Sequence, residues 1–442
     1  MSQVGYWPSA WPVECGGNHR PKTPSSPGLN LQPTDRLVAT TRHTGRWPVM
    51  FVQRDPGELY LHGTTAGDDE PVAGWVQRVD PVTLEPIEQS GDLPTGGHEW
   101  CGSVAVHRNG DLYTVNGSHL HRLAAGDCSV ISEAVLPVDH AHNGLLILND
   151  GAIITKDIRL GEVASTLTVC DADLRTLASV DVPESSMGRI AAVSDGAGQD
   201  LIYVPGATRV HRYRWDGQAL THDTAWAPQY RTEDQGGLAW DCTVVDGRVW
   251  LMDNGNVPAV EHRFSQIPSL RTPLAGSGGP SGANTPQQPS WSASVRAVGV
   301  SEKDQADVIT LVATEHPSGW VLAPPLVHNG VAVVWDTGNT GIAAFDITAG
   351  HPEMLWFQPF RTSMQPMLYP DTGELIINDF RLLDEFETSD DIVVLDLRTG
   401  QMKARVPTGA TRMNGMFLCP GWDRDLYYCT FGTVARIRVE SL

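Results

Sequence analysis

The stretch Asp139–Arg159 reads D-H-A-H-N-G-L-L-I-L-N-D-G-A-I-I-T-K-D-I-R. Two short apolar runs, Leu145–Leu148 and Ala152–Lys156, flank Asn149-Asp150-Gly151. Asn, Asp and Gly tolerate the positive φ of tight hairpin turns, so the runs are predicted to be paired antiparallel strands. Such a hairpin brings two polar ends together. His142-Asn143 opens the first strand and Asp157 closes the second.

The unit recurs. Turn plus second strand appear at Pro56–Tyr60, Asn109–Tyr113, Asp150–Ile153, Gly198–Ile202, Asp246–Trp250, Asn329–Ala332, Thr372–Leu375 and Asp423–Tyr427, eight in all. Most are spaced by roughly 40–50 residues, the length of a four-stranded propeller blade. A second Asp-containing turn follows many of them, as at Asp80-Pro81, Asp346–Gly350 and Asp396–Gly400. The last unit, from Arg412, has room for three strands only, and the isolated strand Asp35–Arg42 can supply its fourth. The expectation is an all-β chain forming a single β-propeller of eight four-stranded blades, closed by an N-terminal strand. Seven blades remain open if one hairpin is an insertion. Residues 1–34 are expected to be an extended Pro/Gly/Ser-rich arm packed on the surface, and residues 35–442 the propeller, with a mobile loop insertion at about residues 265–292.

Composition bounds the partners. The chain has 442 residues and a net charge of −21, which argues against nucleic acid or an anionic membrane. No run approaches the ~20 apolar residues of a membrane helix. The start lacks a basic and apolar leader, so no secretory signal is expected. The seven cysteines lack a C-x-x-C pair, which suits free thiols and a cytoplasmic location. The oligomeric state is not legible.

In a propeller the first strand of each blade lines the channel, and its start shares a face with the end of the second strand. Aligning the units gives a first column: Trp47, Trp100, His142, Met187, Trp240, Trp320, Met364 and Met413, each followed by a small, apolar or polar residue. Methionine commonly fills gaps between packed elements, whereas a Trp N–H wants a partner and suits a wet boundary. A second column holds Asp157, Asp253, Asp336 and Asp379. Asp in a turn often bonds only its own backbone, and that reading stands beside the functional one. With Asn143, Asp241, Gln365 and Asn414, such oxygens at one mouth could hold a hard divalent cation, Ca²⁺ above all. His98, His140 and His142 gather at the same rim, and an imidazole titrates near operating pH. Glu99, Arg46 and Arg412 immediately precede the column and are placed to orient a substrate.

The hairpin Asn143-Gly144…Asp150-Gly151…Asp157 resembles the inner hairpins of gluconolactonase and strictosidine-synthase-like propellers, as does Glu99…Gly110–Tyr113. The resemblance implies a divalent cation held in the channel by Glu, Asn and Asp, and the opening of lactones or esters. Asp346…Gly350…Trp356 looks like one docking repeat of the eight-bladed quinoprotein dehydrogenases. The Gly-His…Trp-Asp signature of WD repeats is not repeated.

The leading expectation is therefore an enzyme on a small molecule at the channel mouth. A cation polarises a carbonyl or activates water, His142 is the general base, and Asp157, Asp253, Asp336 or Asp379 assists. Trp47, Trp100, Trp240 and Trp320, with His98 and His140, hold the substrate. The alternatives are a metal-free lyase or cyclase using the Trp/His/Asp rim, and a non-catalytic scaffold that binds a protein across that face.

Overall fold

A computed structural model describes residues 4–65, 71–161, 163–232, 238–254, 294–316, 319–349, 351–363, 365–382, 388–410, 415–430 and 432–441. These form eight antiparallel four-stranded sheets arranged as blades. Blades 1 to 7 each take four strands in chain order, starting at Trp47, Cys101, His142, Ala191, Leu238, Leu326 and Met367. Blade 8 takes Gly415–Pro420, Asp425–Thr430 and Thr433–Glu440, and its outer strand is Arg36–His43. The register runs from Arg36 against Glu440 to His43 against Thr433. The chain thus closes its own ring, and the sheet edge that an incomplete blade would expose is covered. Eight blades, rather than seven, is the observed count.

The hairpin of blade 3 shows how the sequence writes each unit. Its first strand is His142–Ile147 and its second Ile153–Asp157, paired Ile147 to Ile153 and His142 to Asp157. Gly151 has φ +93°, and the Asp150 side chain accepts the Ala152 N–H at 2.8 Å. Asn149 then donates twice to Asp200 in blade 4, which fixes the angle between neighbours. Between His142 and Leu145 the register slips by a bulge, and Gly144 sits there at φ +80°. A side chain at Gly144 would be strained and would press on Arg189. Bulges occupy the same place in the first strands of blades 1, 2, 5 and 8. They re-aim the residues at the channel mouth, and the one after Cys101 accounts for an uneven place in the aligned first column, the offset of Trp100.

The arm departs most from the sequence reading. Trp11, Val13, Glu14, Cys15, Arg20, Lys22 and Leu29 are all buried. Its backbone runs from blade to blade inside the ring, near the hairpin-turn end. Trp11 accepts from Gln53 in blade 1, and Pro12 from Val106 in blade 2. Asn18 donates to Ile147 O in blade 3 and accepts from Ala192 in blade 4. His19 accepts from Val244 in blade 5, and Lys22 reaches Pro325 O before blade 6 and accepts from Leu368 in blade 7. Arg424 of blade 8 donates to Leu29 O. One segment is hydrogen-bonded to seven blades and to the connection leading into blade 6, because an extended backbone must satisfy its polar groups wherever it is buried.

Blades 7 and 8 meet across a buried acid. Asp390 accepts hydrogen bonds from Tyr428 and from Asn378, and burial pushes its carboxyl up to about 7. Its folded value lies above its unfolded one, so its contribution is favourable below about pH 4 and is lost as the pH rises to 7. Asp390→Asn is therefore expected to leave stability near wild type at pH 4. It should raise stability increasingly up to pH 7, by an amount on the order of 3 kcal/mol. Urea unfolding at several pH values checks this, and a difference independent of pH would refute it.

Candidate functional site at the strand-start mouth

Three of the four expected tryptophans come together. Trp100, Trp240 and Trp320 form one apolar cluster with Met187, Ile158 and Leu160 at the end of the channel opposite the hairpin turns. Trp100 and Trp240 are buried, whereas Trp320 is half-buried and faces the opening. Residues at or just before the first strands of blades 2, 4, 5 and 6 meet here, with bulges in those of blades 2 and 5. Gly188 permits the closest approach, since a Cβ on it would collide with the Trp240 backbone at 2.4 Å. Trp47 is half-buried and lies outside the cluster.

The histidines also gather. His98 and His140 have ring centroids 5.6 Å apart, and His98 contacts Asp139 at 3.0 Å. His142 is fully buried, its Nδ1 lying 2.9 Å from His140 O. That contact assigns the proton to Nδ1, so Nε2 carries the lone pair, and Nε2 is buried without a hydrogen-bond partner. Burial lowers the His142 pKa to about 4, with Asp157 pulling it back up in part. His140 is also lowered, by burial first and then by the charge of Arg159. Both rings are neutral at pH 7.

Each Asp of the second column is already engaged by its own blade or by the connection leading into it, and Asp336 touches the tryptophan cluster through Trp320 N. Asp157 binds Arg159 Nε at 2.5 Å and the Thr166 N–H. Asp253 pairs with Arg231 and with Arg296, the latter at 2.8 Å. Asp336 accepts from Thr314, Trp320 N and Asn339. Asp379 accepts from Arg361 N and from Arg405 at 2.6 Å. These carboxylates tie a second strand to its neighbours. Asp157 alone also influences the histidines.

The expected cation ligands sit beside cations instead. Asp241 is fully buried, and its carboxylate receives Arg20 at 2.8 Å, the Arg189 N–H at 2.7 Å and Gln365 Nε2 at 3.3 Å. Arg20 also pairs with Glu14. Gln365 Oε1 accepts from Cys15 and Arg20. Asn143 accepts from Trp100 Nε1 at 3.2 Å and donates to Met187 O at 3.1 Å. Arg189 lies over the Trp100 and Phe417 rings and contacts Glu14 and Asp241. Arg46 pairs with Asp92 in the periphery, and the carbonyl of Glu99 accepts from Thr64. Arg412, Asn414 and the loop at 265–292 lie outside the described residues.

Five charged residues escaped the sequence reading: Glu14 and Arg20 of the arm, Lys156, Arg159 and Arg189. Lys156 is fully buried against Asp157 O and Ser186 O, and burial lowers its pKa to about 8. A lysine inside a strand of apolar neighbours was the available signal. Nothing in the Pro/Gly-rich arm distinguishes Arg20.

No protein-family model and no curated protein sequence matches the chain. Among solved structures it is similar to the Dos1 propeller, at 10% identity and TM-score 0.57, over 90% of this chain and 94% of that one. It is also similar to a europium-containing methanol dehydrogenase, at 10% identity and TM-score 0.54, over 98% of each chain. A third is the WD40 domain of SCAP from fission yeast, at 7% identity and TM-score 0.52, over 92% of this chain and 98% of that one. At such identities the likeness carries the propeller fold and nothing of the activity.

The described residues do not fit a divalent cation at the expected place. Both Asp241 oxygens and the Asn143 and Gln365 oxygens already accept hydrogen bonds, two guanidinium groups stand alongside, and no group of three His, Cys, Asp or Glu among the described residues forms a metal site. What the cluster does is fasten the arm. Removing one partner of a buried ion pair strands the other charge. Arg20→Met is thus expected to cost about 3–5 kcal/mol of unfolding free energy. Denaturant midpoints measure it, and a loss below about 1 kcal/mol would show that the pairs hold little together.

Proposed function

We propose that the strand-start mouth is an active site for a small organic molecule, working by general-base catalysis without a metal ion. The observation that carries this reading is His142: a neutral imidazole with Nδ1 anchored and Nε2 buried without a hydrogen-bond partner among the described residues, next in the chain to Ala141 of the tryptophan cluster. Leaving a buried acceptor unsatisfied is costly, and such groups concentrate where a ligand completes them.

The arm supports the same reading. It fills the hairpin-turn end of the channel, so a substrate enters from the tryptophan side. An apolar or cyclic body packs on Trp320 and the rings behind it. Nε2 of His142 takes a proton, either from water attacking a lactone or ester or from carbon in a ring-opening or ring-closing step. Asp157, the charge that most favours protonated His142, stabilises the imidazolium that forms. The lactone or ester class comes from the resemblance to gluconolactonase-type hairpins. The cation of that resemblance is left out because its expected ligands are taken. A protein-binding rim is less well supported, since the exposed apolar residues, among them Ile87, Val135, Leu177, Met354 and Phe357, lie on the fourth strands at the outer wall.

A screen of lactones, esters and cyclic alkenes should find turnover that chelator leaves unchanged. His142→Gln should then lower kcat by roughly 100-fold or more. The acid limb of the rate profile should fall near pH 4, because the base works only while unprotonated. Turnover that survives His142→Gln, or that chelator abolishes, would overturn the reading.

A further inference from the structure

Arg159 follows the second strand of blade 3, between two members of the tryptophan cluster, Ile158 and Leu160. Its backbone N–H donates to Ser186 O at 3.1 Å, which ties the segment to blade 4. Its Nε donates to Asp157 Oδ2, and the side chain keeps 20% exposure while Asp157 has none. A guanidinium carries five N–H donors in a rigid fork. Arg212 fills more of its fork, placing Nε and Nη2 on Asp223, and Arg405 joins Asp379 to Asp391. At Arg159 only Nε is engaged, and Nη1 and Nη2 donate to no described residue. Asp157 thus fixes the plane of the guanidinium and leaves its outer edge open.

Arg159 is flanked in the chain by Ile158 and Leu160 of the tryptophan cluster and lies near His140. His140 is close enough for the Arg159 charge to be the second-largest influence on its protonation. Beneath the mouth, buried Arg20, Lys156 and Arg189 lie among three buried carboxylates, Glu14, Asp157 and Asp241.

We propose that the mouth binds a small organic carboxylate with an aromatic or bulky apolar body. The carboxylate takes the Nη1/Nη2 edge of Arg159, and the body lies on Trp320 with Trp100 and Trp240 behind it. Bidentate pairing with a planar fork is how Arg selects carboxylates. The proposal rests on the reading of the mouth as a small-molecule site and adds the class of molecule.

Isothermal titration of the full chain with benzoate, phenylacetate and indole-3-acetate, each against its primary amide, tests it. At least one acid should bind tenfold or more tightly than its amide. Arg159→Gln should abolish that preference and Arg159→Lys should keep part of it, while Trp320→Ala should weaken acid and amide alike. Melting curves identify any variant that fails to fold, and if Arg159→Gln does, Arg159→Lys decides. Equal binding of acid and amide to the wild type, or a preference that survives Arg159→Gln, overturns the carboxylate assignment. If amides still bind and Trp320→Ala weakens them, the mouth itself stands. Should neither acids nor amides bind, both the assignment and the small-molecule reading fall.

Discussion

The pairing of Arg20 with Glu14 and Asp241 is the constraint on which the rest of the structure depends. All three side chains are fully buried. Charges out of water are tolerated only when paired and hydrogen-bonded, so separating the arm from blade 5 takes from Arg20 and from Asp241 one of their buried partners. Once Arg20 is fixed, the extended backbone on either side runs along the inner strands and finds partners in seven blades and in the connection leading into blade 6. That route occupies the hairpin-turn end of the channel, and the tryptophan cluster lies at the opposite end.

The same cluster explains why a cation site was expected and why the residues do something else. Asp, Asn and Gln at a channel mouth are good ligands for a hard ion when their oxygens are free. Whether they are free depends on which cations the fold brings near. Here the partners of Asp241 are Arg20, 221 positions away in the chain, and Arg189, 52 positions away. The resident positive charge beside Asp241 is guanidinium, where a metal centre would hold the ion.

Much of the fold was legible because it is written locally. Turn pairs such as Asn149-Asp150-Gly151 fix hairpins by backbone sterics, and their spacing fixes the blades. The missing fourth strand at the end of the chain pointed to Arg36–His43. The histidine cluster and three of the four tryptophans were legible for the same reason, since they occupy equivalent places in a repeat. The aspartates were not. Asp253 and Asp379 look like turn or channel residues by position, but their partners Arg296 and Arg405 lie 43 and 26 residues away. Of the bulges, only the one after Cys101 was visible, as the offset of Trp100. The arm was misread because Pro, Gly and Ser suit an extended surface strip and an extended buried one equally well, and only long-range packing separates the two.

Ring closure sets an order of events. Arg36 pairs with Glu440, 404 residues later, and the arm before it needs seven blades and the connection leading into blade 6. Loop closure over such a span brings its contacts late. During synthesis the first forty or so residues are therefore the earliest made and the last seated. Until then blade 8 lacks its outer strand, and Arg20 waits in solvent for a carboxylate not yet translated. The nascent chain spends most of its production time with an open sheet edge and an unfilled channel, a state prone to wrong partners. A closed propeller of this design is assembled by its end and locked by its beginning.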